Sequence, residues 1–221
     1  MHTKKHLKHG GITILLIKST GIMRFVPLIA IDLAALGLIL LSAFGRMDSD
    51  SILSDLLLIS QIFFPLFSVW WVIFILWGLI DADGSELIFT VCRKSLLRYI
   101  LPPFLIMLAN VSAITAVCAV ILPAFAVEFL RILSACVLYF GIAYFACVVT
   151  KLTSVSLFLL ILYTLASAIC RSHEIVFPFY MSQTLIDGET AVKLCLPLFA
   201  GMTLALMICA VTGVGLVLLL P

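Results

Sequence analysis

Charge is what this sequence has least of. Only 11% of its 221 residues are Asp, Glu, Lys or Arg, while 64% are hydrophobic. Soluble domains carry about 25% charged and about 45–50% apolar residues, so a water-soluble fold of this composition would leave far too much apolar surface in solvent. The mean hydropathy of +1.32 agrees. The same balance excludes a disordered chain, collagen, a coiled coil and a disulfide-built secreted domain, none of which tolerates so much Leu, Ile, Val and Phe with so few charges.

Chemistry-bearing motifs are missing too. The chain has no GxSxG, no HExxH and no paired Glu-Glu motif, and its four histidines (His2, His6, His9, His173) fall outside the long apolar runs. A catalytic role and a bound metal are therefore not expected. There is no GxxxxGK[ST] phosphate loop, so ATP-driven work would need another subunit. A net charge of +2 and the lack of a basic run with interleaved aromatics argue against a nucleic-acid partner. The seven cysteines (Cys92, Cys118, Cys136, Cys147, Cys170, Cys195, Cys209) form no CxxC pair and read as small apolar filler. Cys170 and Cys195 flank one connection and are the pair placed to bridge, filler being the favoured reading.

What is present is apolar sequence in lengths that suit a bilayer. A membrane-spanning helix needs roughly 20 apolar residues at 1.5 Å per residue. The sequence predicts an all-α, polytopic integral membrane protein: residues 1–24 as a basic, amphipathic helix lying in the interface, then a six-helix transmembrane domain over 25–221. The six spans fall at 25–44, 56–80, 99–123, 129–150, 154–170 and 194–220. The basic N-terminus resembles a signal peptide only superficially, because Lys18 ends its short apolar run and no small-residue cleavage site follows, so it is expected to be retained.

Cations set the orientation. With the N-terminus inside, Lys4, Lys5, Lys8, Lys18, Arg24, Arg93, Lys94, Arg98 and Lys151 are cytoplasmic, against Arg46, Arg131, Arg171 and Lys193 outside. That excess follows the positive-inside rule and puts both termini in the cytoplasm. Glu128 is counted among the outward-facing acids.

Polar residues inside the spans are few. Asp32 is the ionisable residue deepest in a span, and needs a partner helix, a cavity or the interface. Gln61 and Asn110 read as interhelical hydrogen-bond partners. Pro65, Pro102, Pro103, Pro123 and Pro197 mark kinks or helix ends. Trp70 and Trp71 sit mid-span, as bulky packing or as an aromatic wall facing a substrate, and Trp77 reads as an interfacial anchor. Asp32, Gln61, Trp70, Trp71 and Asn110 are the candidates for a substrate path or dimer interface.

The cytoplasmic connection 81–98 contains Gly84, Ser85, Glu86, Leu87, Ile88, Arg93 and Lys94. Ser85 can cap a short helix with Glu86 in its first turn and the basic pair near its far end, both favourable to the helix dipole. Such a helix would lie across the cytoplasmic mouth, either to receive a partner or simply to anchor two spans.

Six spans, a basic amphipathic N-terminal helix, the Gly84-Ser85-Glu86-Leu87-Ile88 stretch after span two and the Arg93-Lys94 pair together resemble the permease subunit of type-2 ATP-binding-cassette exporters. The chain departs from that family's pattern in lacking a Pro before the basic pair, and in having Arg98-Tyr99 where a Gly-Lys pair is common. The resemblance implies that these residues form a coupling helix seated on a separate nucleotide-binding ATPase, which would hold the ATP and Mg. It further implies a second permease copy or paralogue, a bacterial cytoplasmic membrane and an amphipathic or hydrophobic cargo such as a peptide antibiotic, a lipid-like molecule or a drug. Re-entrant short helices are implied between spans five and six, where the extracellular connection 171–193 has an apolar, aromatic stretch at 175–186. An interfacial loop with aromatic anchors is the alternative for that stretch. From the residues alone, an ATP-independent carrier and a non-transport assembly or sensor protein remain open.

Overall fold

The computed structural model describes residues 25–43, 49–80 and 96–170, together with 181–182, 185, 188–190, 192–193, 195–197 and 200. All regular structure among them is helical. The helices are α1 (Val26–Ala43), α2 (Ser49–Ser68), α3 (Trp70–Ile80), α4 (Leu96–Ile121), α5 (Ala126–Thr150) and α6 (Thr153–Ile169). A 3-10 turn at Pro123–Phe125 joins α4 to α5. Helical residues recur at 188–190, 192–193 and 195–197. The basic N-terminal segment, the connection 81–95 and most of the sixth expected span lie outside the described residues.

Among the described residues, three stretches are long and apolar enough to cross a membrane: Leu53–Ile80, Tyr99–Ile121 and Ala126–Thr150. Thr153–Ile169 is apolar but shorter. Exposed large side chains are apolar along whole helix faces, including Leu33, Leu40, Leu105, Val120, Phe158 and Leu165. Water would not tolerate such continuous apolar faces, and a bilayer does. Polar groups instead turn inward: Ser60, Gln61, Ser68, Thr115, Ser134, Ser156 and Ser167 are buried.

The centre of the bundle is α5, which packs on α2, α4 and α6. Its buried face carries Ser134, Ala135, Cys136, Gly141, Ala143, Ala146 and Cys147. Small side chains let neighbouring backbones come close, and dispersion between them supplies the association that hydrophobic exclusion cannot supply in lipid. Hydrogen bonds then fix the pairing of α5 with α6: Tyr139 Oη and Thr164 Oγ1 are 2.6 Å apart, and Ser156 Oγ donates to the Ala143 carbonyl at 3.1 Å. On the α4 side, Phe104 stacks on Phe140 with ring centroids 4.2 Å apart.

The α5–α6 corner is two residues long. Lys151 takes the left-handed conformation at φ 55° and its N–H donates to the Cys147 carbonyl at 2.9 Å, ending α5. A left-handed non-glycine residue costs on the order of 1 kcal/mol, and the Thr150 hydroxyl braces the corner by donating to Ala146 O and accepting from the Leu152 N–H.

The structure moves several expected boundaries. The second span divides at Val69 into α2 and α3. Pro65 has no N–H to give to the Gln61 carbonyl and its ring crowds that carbonyl; Ser68 Oγ donates back to the Pro65 carbonyl at 2.7 Å, and the helix resumes with Ile73 N–H on Val69 O. At its other end α2 reaches back to Ser49, so Asp55 is helical rather than part of a loop. Likewise α5 starts at Ala126, because the Pro123–Phe125 turn closes the connection early. Glu128, expected in the connection, is therefore a helix residue, and both it and Arg131, counted among the outward-facing charges, are completely buried.

Candidate functional site

Three polar arrangements and one apolar cleft stand out in the bundle. Asn110 Nδ2 on α4 donates to Asp32 Oδ2 on α1 at 3.0 Å. This ties α1 to α4 and gives the half-buried carboxylate a donor in place of water.

The second arrangement involves irregular backbone. Met181 and Ser182 are non-helical and buried, and the Ser182 N–H donates to Gln61 Oε1 at 3.1 Å. Gln61 is eight residues inside the Leu53–Ile80 stretch, or about 12 Å along the helix axis. Chain that follows α6 therefore returns into the bundle. At that depth a peptide N–H has no water to bond, so it needs an acceptor from the protein, and the Gln61 amide provides one. Further along, Leu185 packs against the cluster that includes Phe64, Phe125 and Ile132. Cys195 donates from Sγ to the Leu130 carbonyl at 3.6 Å. Cys170 and Cys195 are both free thiols and do not bridge.

The third arrangement was not anticipated from the sequence. Arg131 and Glu128, three residues apart on α5, form an ion pair with neither side chain exposed. Removing two charges from water costs several kcal/mol each, which only a close, hydrogen-bonded pairing offsets. The available signal was the i,i+3 spacing of opposite charges at the start of an otherwise apolar run. By contrast, Glu189 and Lys193 are an exposed pair at 2.7 Å and contribute little.

The cleft, about 770 Å³, opens at the α5–α6 corner and is lined by Trp70, Ile73, Phe74, Trp77 and Ile80 of α3 and by Lys151 to Ser154 and Leu157. Phe63, Phe67, Trp70 and Phe74 form a ladder along α2 and α3, with successive ring centroids 6.1, 5.4 and 5.1 Å apart. Trp70 thus faces the cleft, whereas Trp71 is buried edge-on against Phe25 at 4.3 Å.

The five candidate path residues accordingly divide: Asp32 with Asn110, Gln61 with Ser182, Trp70 at the cleft and Trp71 in the core. Gly84, Ser85, Glu86, Leu87, Ile88, Arg93 and Lys94 lie outside the described residues. No group of three or more His, Cys, Asp or Glu side chains that could hold a metal occurs among the described residues. Compared with protein-family models, with curated proteins and with solved structures, the chain matches none.

Proposed function

We propose that the chain is the membrane-spanning permease subunit of an ATP-driven exporter of the type-2 class, with six spans, an interfacial N-terminal helix and both termini in the cytoplasm of a bacterial cell. The observation that carries this reading is the Ser182 N–H on Gln61. It supports a re-entrant segment between the fifth and sixth spans, a feature of that exporter class that few simple helical anchors need. The loop cations support the orientation: once the buried Arg131 is set aside, nine inside face Arg46, Arg171 and Lys193 outside.

In this reading two permease copies, or this chain and a paralogue, enclose a path for an amphipathic or hydrophobic cargo. ATP and Mg belong to the partner ATPase, since this chain has no phosphate loop. Closure of the ATPase dimer on nucleotide pushes the segment at Gly84 to Lys94 and shifts the permease between inward- and outward-open states. Glu86 and Arg93 are the charged groups that hold that segment in the ATPase groove.

The double variant Glu86→Ala, Arg93→Ala tests the docking. The purified permease is expected to lose its ATPase partner on gel filtration while its own yield and helical circular dichroism stay unchanged. Co-elution undiminished by both changes would contradict the assignment.

A further inference from the structure

We propose that the cleft at the α5–α6 corner is a binding site for an anionic phospholipid of the surrounding bilayer, with its phosphate at Lys151 and an acyl chain along Trp70, Phe74 and Leu157. The proposal stands on the cleft itself and does not depend on the exporter reading.

Shape comes first. At about 770 Å³ the cleft is as large as pockets that enclose a small-molecule ligand, about 300–1,000 Å³. Its long wall is α3, where Trp70 and Trp77 are seven residues, or about 10 Å, apart. Trp77 is half exposed at the end of the helix, the level at which indoles sit between headgroups and hydrocarbon. The cleft thus runs from the interface about two turns into the apolar layer, the path of an acyl chain. Beyond Trp70 the ladder continues through Phe67 to Phe63, which is itself exposed.

Polarity is confined to one end. Lys151, Thr153 and Ser154 line the mouth, and no carboxylate lines the cleft among the described residues. The mouth is also where α6 begins, and the preceding residue, Leu152, has no side chain able to cap it. The first-turn N–H groups of a helix have no partners within the helix and carry its positive end. A lysine and the positive end of a helix at the mouth of an apolar slot complement a phosphate attached to an acyl chain. A zwitterionic headgroup gains less there, because its own cation opposes Lys151.

The three tryptophans of the chain all lie on α3, which makes the site directly observable. In the full chain with Trp71→Phe and Trp77→Phe, Trp70 is the sole tryptophan. Reconstituted into phosphatidylcholine vesicles, it is to be quenched by phosphatidylglycerol or phosphatidylcholine brominated on the acyl chain, at equal mole fraction. The expected result is about fivefold preferential occupancy by the anionic lipid, abolished by Lys151→Asn. Asparagine removes the cation yet tolerates the left-handed corner. Should the double Trp variant fail to fold, the same preference is read in the three-tryptophan chain, since Trp70 and Trp77 both line the cleft. Equal quenching by the two lipids, or a preference that survives Lys151→Asn, would overturn the proposal.

Discussion

Arg131→Ala is expected to cost about 3–5 kcal/mol, the penalty for leaving a buried charge without its counter-ion. Native domains have only about 5–15 kcal/mol to lose, so the variant should yield little monodisperse protein in detergent and a sharply lower unfolding midpoint. The ion pair itself is not the source of that loss. Glu128 and Arg131 lie wholly inside the bundle, so the loss comes from leaving the buried Glu128 carboxylate without its counter-ion. Replacing both members, as Glu128→Gln with Arg131→Met, removes the stranded charge and should restore most of the yield and midpoint. A single variant as stable as the parent, or a double variant no better than the single, would show that the pair is not held as described.

Gln61→Leu should act on a different part of the molecule. It leaves the Ser182 N–H, which Gln61 accepts at 3.1 Å, without that acceptor in a buried position. Leaving a buried N–H without its acceptor costs about 1–3 kcal/mol, so the equilibrium for the segment leaving the bundle should rise roughly 5- to 150-fold. Ser182→Cys in a background free of the native cysteines gives the readout. A water-soluble maleimide should label position 182 slowly when Gln61 is present and much faster with leucine there. Unchanged labelling would mean that the Gln61 amide does not hold the segment.

These two sites show what could and could not be read from the sequence. Asp32, Gln61 and Asn110 are conspicuous because a polar side chain in an apolar run must find a partner. The partners themselves are 78 residues away for Asp32 and 121 for Gln61, distances over which helical periodicity carries no information. Pro65 signalled a kink, and α2 does break shortly after it, at Val69. The helix start at Ala126 was hidden by its surroundings: Pro123 reads as a helix end, and it left Glu128 in the connection, just short of the expected span at 129–150. The fixed spacing of three between Glu128 and Arg131 is a helix signal that outweighs the proline once the short 3-10 turn is recognised. The cleft could not be foreseen at all, since α3 and the corner at Lys151 meet through the tertiary packing of α3 on α5 and α6. The membrane-compatible character followed from composition, because so few charges leave no other solvent for these side chains, and the helical form followed from the length of the apolar runs.

A permease of the proposed kind does no work alone. Its energy must come from a partner that binds the nucleotide this chain has no loop to hold. The most direct measurement is purification of the tagged chain from its native host in mild detergent, with mass spectrometry of the bound proteins and a hydrolysis assay on the same fraction. A stoichiometric nucleotide-binding subunit with vanadate-sensitive ATP hydrolysis is the predicted result. Repeated recovery of the folded chain by itself, with no ATPase activity, would contradict the permease reading.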